Sequence, residues 1–319
     1  MTIRFRAATA ASIALVFGLV GAAGCGKYSY GNLRAVKNFK DGNTLYQQKD
    51  YKKAAEKYES AIGANPELGQ AYFFLGNSYD ELYKPAKAGD ATNDAYIHKA
   101  IDNYQKAAEK DPDPKMRKLA LEYLASAYGA EKLNDPAKAE PVYQEIVKLE
   151  PGEPANYVPL ARLYEDSGRY DEAEAALTKA RDEKPNDPAV YTNLAAYYNR
   201  QGDFAKTIES LQKAADLNPN NPEGYHLIGT YYWDKARKDF RLSDAEKKDY
   251  ILKGLAMEDK ALGLNPEYME AMTYKNILLR MQANTEKDPA KQKQLLDEAD
   301  KLRNKAMELQ KKKASQGAK

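Results

Sequence analysis

The chain has 319 residues, 43% of them hydrophobic and 30% charged, with 49 Lys plus Arg, 47 Asp plus Glu and one cysteine. A charge balance this close to neutral excludes nucleic acid as the main ligand, and one cysteine excludes an internal disulfide framework, so stability must come from packing. Length alone predicts two domains, whereas a mean hydropathy of -0.77 predicts a large exposed area.

In chain order, Arg4 and Arg6 precede an uncharged apolar run over residues 7–24, and Cys25 follows Ala22, Ala23 and Gly24. This is the make-up of a secretory signal with small residues at the cut. It resembles a bacterial lipoprotein signal, in which the cysteine is diacylated, cleavage falls just before it and the new amino end is acylated. The resemblance implies a signal peptide at 1–24, lipidation at Cys25 and a tether at 25–34. Its part from 26 to 34 reaches at most about 30 Å. Three acyl chains anchor firmly, each buried methylene contributing about 0.8 kcal/mol. Gly26, in place of aspartate, implies a bacterial envelope protein on the outer membrane, facing the periplasm where there are two membranes. Loss of Arg4 and Arg6 leaves 47 basic residues against 47 acidic.

Beyond the tether the sequence repeats. Residues 35–68 carry Gly42, Leu45, Ala54, Tyr58, Ala61 and Pro66. Residues 69–114 carry Tyr72, Leu75, Gly76 and Tyr79, then resume at Ala100, Tyr104, Ala107 and Pro112 after an insertion near 84–95. Residues 118–151 have a shorter insertion at Asn134 and Asp135. The units 154–187 and 188–221 show the period without a gap: Pro151, Pro185 and Pro219, like Pro154, Pro188 and Pro222, keep a step of 34. Tyr157, Tyr191 and Tyr225 keep it too, as do Leu160, Leu194 and Ile228, Ala161, Ala195 and Gly229, and Tyr164, Tyr198 and Tyr232. Bulky residues at i, i+3 and i+7 with a small one at i+4 predict one face of a first helix. Gly168 and Gly202 break it, and Ala173, Leu177 and Ala180, or Thr207, Leu211 and Ala214, predict a second. Asp187-Pro188 and Asn221-Pro222 predict helix starts. A sixth unit, 222–268, takes a charged insertion over 235–249, and a seventh, from 269, is degenerate. Asp288-Pro289 then opens a helix with Leu295, Ala299, Leu302, Ala306 and Leu309 on one stripe, predicted to cap the stack over 284–313 before a tail at 314–319.

This pattern resembles the tetratricopeptide repeat family. The resemblance implies an all-α, right-handed solenoid (superhelix) of about seven helix-turn-helix repeats over 35–283 with a C-terminal capping helix. It also makes most tyrosines packing residues and sends function to the first-helix positions facing a concave groove. Projected here, these are Phe39, Asn43, Phe73, Asn77, Asp80, Glu122, Arg162, Glu165, Thr192, Asn199, Arg200, His226, Thr230 and Trp233. Repeated Phe-x-x-x-Asn pairs offer a carboxamide for a peptide backbone beside an apolar contact, and packing onto the neighbouring helix is the alternative. Trp233 faces the groove or anchors the following insertion. Phe39 stands where the family's two-carboxylate clamp has lysine.

No enzyme constellation is present: His98 and His226 lack metal-ligand spacing, and there is no phosphate-cradling loop or nucleophile elbow. The expectation is a non-enzyme without cofactor, metal, nucleic acid or small-molecule substrate. It would be a membrane-anchored scaffold binding peptide segments of envelope proteins in secretion, pilus or outer-membrane assembly. The alternative is a recruiting or regulatory subunit for a cell-wall hydrolase or glycosyltransferase.

Overall fold

The computed structural model describes residues 30–317, so the signal and Cys25 lie outside the described residues. These form fourteen α-helices and no strand: α1 (Tyr30–Gln47), α2 (Tyr51–Ala64), α3 (Gly69–Leu82), α4 (Ala91–Lys110), α5 (Pro114–Tyr128), α6 (Pro136–Leu149), α7 (Tyr157–Asp166), α8 (Tyr170–Glu183), α9 (Pro188–Arg200), α10 (Phe204–Leu217), α11 (Pro222–Lys238), α12 (Asp244–Leu264), α13 (Met269–Thr285) and α14 (Pro289–Gly317). The chain divides into two compact units between Ala120 and Leu121, inside α5. In the first, α1 packs on α2, α2 on α3 and α3 on α4. In the second, consecutive packing runs from α6 to α14.

The punctuation explains the boundaries. α8 and α10 stop two residues before Pro185 and Pro219, and Asp187 and Asn221 accept hydrogen bonds from the amides of Ala189 and Glu223 to open α9 and α11. Gly168 and Gly202 turn the chain between paired helices with φ of 72° and 76°, a region where other residues clash with their own backbone. At the matching place in the first pair stands Lys49, with φ of 61°.

Inside the pairs the small positions do what their size allows. A Cβ on Gly42 or Gly76 would come within 2.7 Å of the Tyr58 ring or 2.8 Å of the Tyr104 ring. Both tyrosines are completely buried. Tyr157 and Tyr191 each donate to the carbonyl of the proline six residues earlier, Pro151 and Pro185, at 2.9 Å. Between successive pairs of the second unit, Tyr164 donates to Glu140 at 3.2 Å and Tyr198 to Glu174 at 2.6 Å, with Arg169 and Lys206 over the respective rings.

Several expected boundaries move. Residues 30–34, expected as tether, are the first turn of α1. The insertion near 84–95 is a short 3-10 turn, Pro85–Lys87, followed by the start of α4. The insertion at 235–249 is mostly helix, extending α11 and α12 on either side of residues 239–243. The capping helix is the second member of a seventh pair: α14 packs on α13 through buried Ala299 with Leu295 and Leu302, while residues 284–285 end α13 and 314–317 continue α14. No described helix is long and apolar enough to cross a membrane.

Candidate functional site

The Phe-x-x-x-Asn pairs turn inward. Tyr58 donates to Asn43 at 2.8 Å, and Phe39 packs on the Tyr58 and Phe74 rings. In the next pair Tyr104 donates to Asn77 at 2.7 Å and reaches Asp80 at 3.2 Å, while Phe73 lies buried against Phe74 and Tyr104. The asparagines thus satisfy hydroxyls inside the protein, where an unbonded polar group is costly. Phe73 and Asn77 are not open to a partner, which corrects the groove expectation for them; Phe39 and Asn43 are half-buried.

Three of the later residues, Glu165, Arg200 and Trp233, also have structural roles. Glu165 is buried and takes a two-pronged bond from Arg200, at 2.6 and 2.8 Å, which joins α7 to α9. Arg162 pairs with Asp166 at 3.2 Å on the surface and stays exposed. Trp233 packs edge-on to Tyr274, under Arg237, within the core shared by α11, α12, α13 and α14, and its Nε1–H finds no acceptor among the described residues. Glu122 is exposed, and Thr192 and Thr230 donate to carbonyls of their own helices, those of Pro188 and Leu227.

His226 leads to a residue that sequence reasoning missed. Its Nδ1 lies 3.0 Å from Glu258 of α12, a carboxylate with 0% exposure that sits directly beneath Gly229. Tyr58 and Tyr104 occupy this place under Gly42 and Gly76. Burial pushes the Glu258 carboxyl above the ordinary glutamate value of 4.5, and His226 pulls it part of the way back. The signal was in the sequence: Glu258 precedes Ala261 by three, as Tyr58 precedes Ala61 and Tyr104 precedes Ala107.

A cavity open to solvent lies where α11 outgrows its neighbour. α11 has 17 residues and α9 has 13, so its hairpin with α12 overhangs by about 6 Å. A cavity of about 430 Å³ lies there, lined by Asn199, Gly202, Phe204, Tyr231 and residues of the overhang, among them Asp234, Lys238, Asp239, Phe240 and Arg241. Phe240 is 93% exposed. Its loop is held by Asp239, which accepts from Arg241 Nε and from Lys235 Nζ, both at 2.9 Å, and these bonds keep the carboxyl well below the usual range. Asp234 pairs with Lys238 at 2.8 Å. Of the expected groove residues, Asn199 alone lines this cavity. No cluster of His, Cys, Asp and Glu among the described residues could hold a metal ion.

Helix pairs stacked at a fixed sequence step define a helical-repeat protein. Tetratricopeptide repeat profiles match residues 39–104, 130–197 and 188–221, and the chain is a tetratricopeptide repeat protein. Among solved structures, the C-terminal part of a TPR repeat-containing protein from Cytophaga hutchinsonii is 17% identical with a TM-score of 0.52, covering 85% of this chain and 98% of its own. A crystal structure of MamA is 22% identical with a TM-score of 0.40, over 57% of this chain and 93% of that one. YrrB, described as a TPR protein with an unusual peptide-binding site, is 20% identical with a TM-score of 0.39, over 60% and 91%. At 17% identity the likeness to the Cytophaga hutchinsonii structure is one of fold. No curated protein matches.

Proposed function

We propose that the chain is a scaffold of the bacterial envelope, lipid-anchored at Cys25 and favouring the periplasmic face of an outer membrane, that captures extended segments of envelope proteins. Repeat arrays work through extended binding surfaces, and no matching family profile is enzymatic. The observation that carries the reading is the cavity beneath the α11–α12 overhang. It combines the rings of Phe204, Tyr231 and Phe240 with the Asn199 carboxamide, which can both donate to and accept from a peptide backbone. Anchoring raises the local concentration of partners at the membrane, so modest affinity suffices.

A photo-crosslinking residue at Asn199 or Phe240 in living cells tests the site. Capture of one envelope protein through an extended segment, competed by that segment as a synthetic peptide, is expected. Labelling by lipid or solvent alone would remove the peptide site. A Cys25→Ser chain that still fractionates with membranes would contradict the anchor.

A further inference from the structure

On one side α1 is covered by α2 and α3. On the other, Tyr30, Leu33 and Val36 are 83%, 58% and 46% exposed, and they follow at i, i+3 and i+6 along the first two turns. Arg34, Lys37 and Lys40 stand among and beyond them, all exposed. Exposed bases elsewhere are of both kinds: Lys53, Lys138 and Lys253 sit in salt bridges, whereas Lys52, Lys148 and Lys213 make none with a described residue. Arg34, Lys37 and Lys40 make none with a described residue, and Asp41 is the only acidic residue of the helix, so this face of α1 carries net positive charge beside its apolar side chains.

We propose that this face of α1 rests on an anionic membrane surface, a placement that relies on the reading of Cys25 as the lipid anchor. The chemistry matches on both counts: apolar side chains reach the headgroup–acyl boundary, and the exposed cations meet lipid phosphates. The sequence supplies the proximity, since Tyr30 follows Cys25 by five residues, at most about 17 Å of extended chain. The acyl chains hold the protein at the bilayer, and α1 fixes the attitude in which the first repeats leave it.

The test uses the full chain purified from membranes, with an environment-sensitive dye on a cysteine introduced at Leu33, at Val36 or, as a control on the exposed surface of α2, at Glu56. On vesicles of phosphatidylglycerol and phosphatidylethanolamine, the dyes at 33 and 36 should shift to the blue and be quenched by spin-labelled lipid, and the dye at 56 should not. On phosphatidylcholine, or with R34Q/K37Q/K40Q, the shift should vanish while the protein still floats with the vesicles. Dyes at 33 and 36 that stay water-like on bound protein, respond equally to both lipids, or shift without vesicles through self-association overturn the proposal. The anchor reports separately: an acylated Cys25 leaves the unsubstituted chain unlabelled. If Cys25 takes the dye, anchoring fails by itself, and vesicle binding decides for the face. Partitioning about 100-fold weaker in the triple variant supports it, and equal partitioning overturns it.

Discussion

The second and sixth repeats both have long second helices, 20 residues in α4 and 21 in α12, yet they handle the added length in opposite ways. In the second, Tyr104 fills the space under Gly76, and the inserted segment closes on Asn93. That residue is 5% exposed, accepts from the Lys84 amide at 2.8 Å and donates to the carbonyls of Lys84 and Lys87. In the sixth, an ionisable pair replaces the aromatic latch, and charge pairs centred on half-buried Asp239 hold the loop while Phe240 is exposed to water. An insertion becomes scaffold when a buried side chain satisfies its backbone. It remains usable surface when half-buried charges, here Asp239 and Lys235, tie the loop to itself instead.

The largest effect should come from breaking the ionisable pair. His226→Ala leaves Glu258 buried without its partner and should cost about 3–5 kcal/mol, seen as loss of amide-exchange protection across α11 and α12. Because the folded carboxyl lies above its ordinary value, folding favours the protonated form. That stability is complete below the ordinary value of 4.5 and is lost as pH rises through the raised one. Without His226 the fall should be larger and reach to higher pH. Unchanged protection would erase the contrast between the two repeats. The double change H226F/E258L, which copies Phe39 and Leu177, should instead stabilise by about 1–4 kcal/mol in thermal unfolding and remove this pH dependence.

Smaller effects probe the insertions. Asn93→Ala should cost about 1–3 kcal/mol and release protection over residues 84–97, since it strips partners from buried backbone groups. Phe240→Ser should change the melting free energy by less than about 0.5 kcal/mol while sharply lowering crosslinking from Asn199. A Phe240 variant as destabilised as the Asn93 variant would make both insertions scaffold.

Most of the fold was legible because a repeat states its own boundaries: Pro185, Pro219, Gly168 and Gly202 mark the ends and turns that the structure has. The site was less legible. Phe73 and Asn77 have the composition of a recognition pair, and only the partner helix, bringing Tyr104 across from 27 residues away, makes them interior. Glu258 hid because its pairing with His226 spans 32 residues, although its distance from Ala261 betrayed a core position. The charged stretch after Asp234 has the composition of an insertion. Its Ser243-Asp-Ala-Glu246 run is a reciprocal cap that opens α12, a local signal that was there to be used.

The hydrogen bonds from Tyr157 to Pro151 and from Tyr191 to Pro185 bear on how such a chain can be cut and recombined. Numbering a unit from Pro188 severs the hydroxyl of Tyr191 from its acceptor, which stays with the preceding fragment. A transplantable cassette should therefore begin at Pro185, carrying its own closing bond, and evolutionary duplication of whole units would face the same joint.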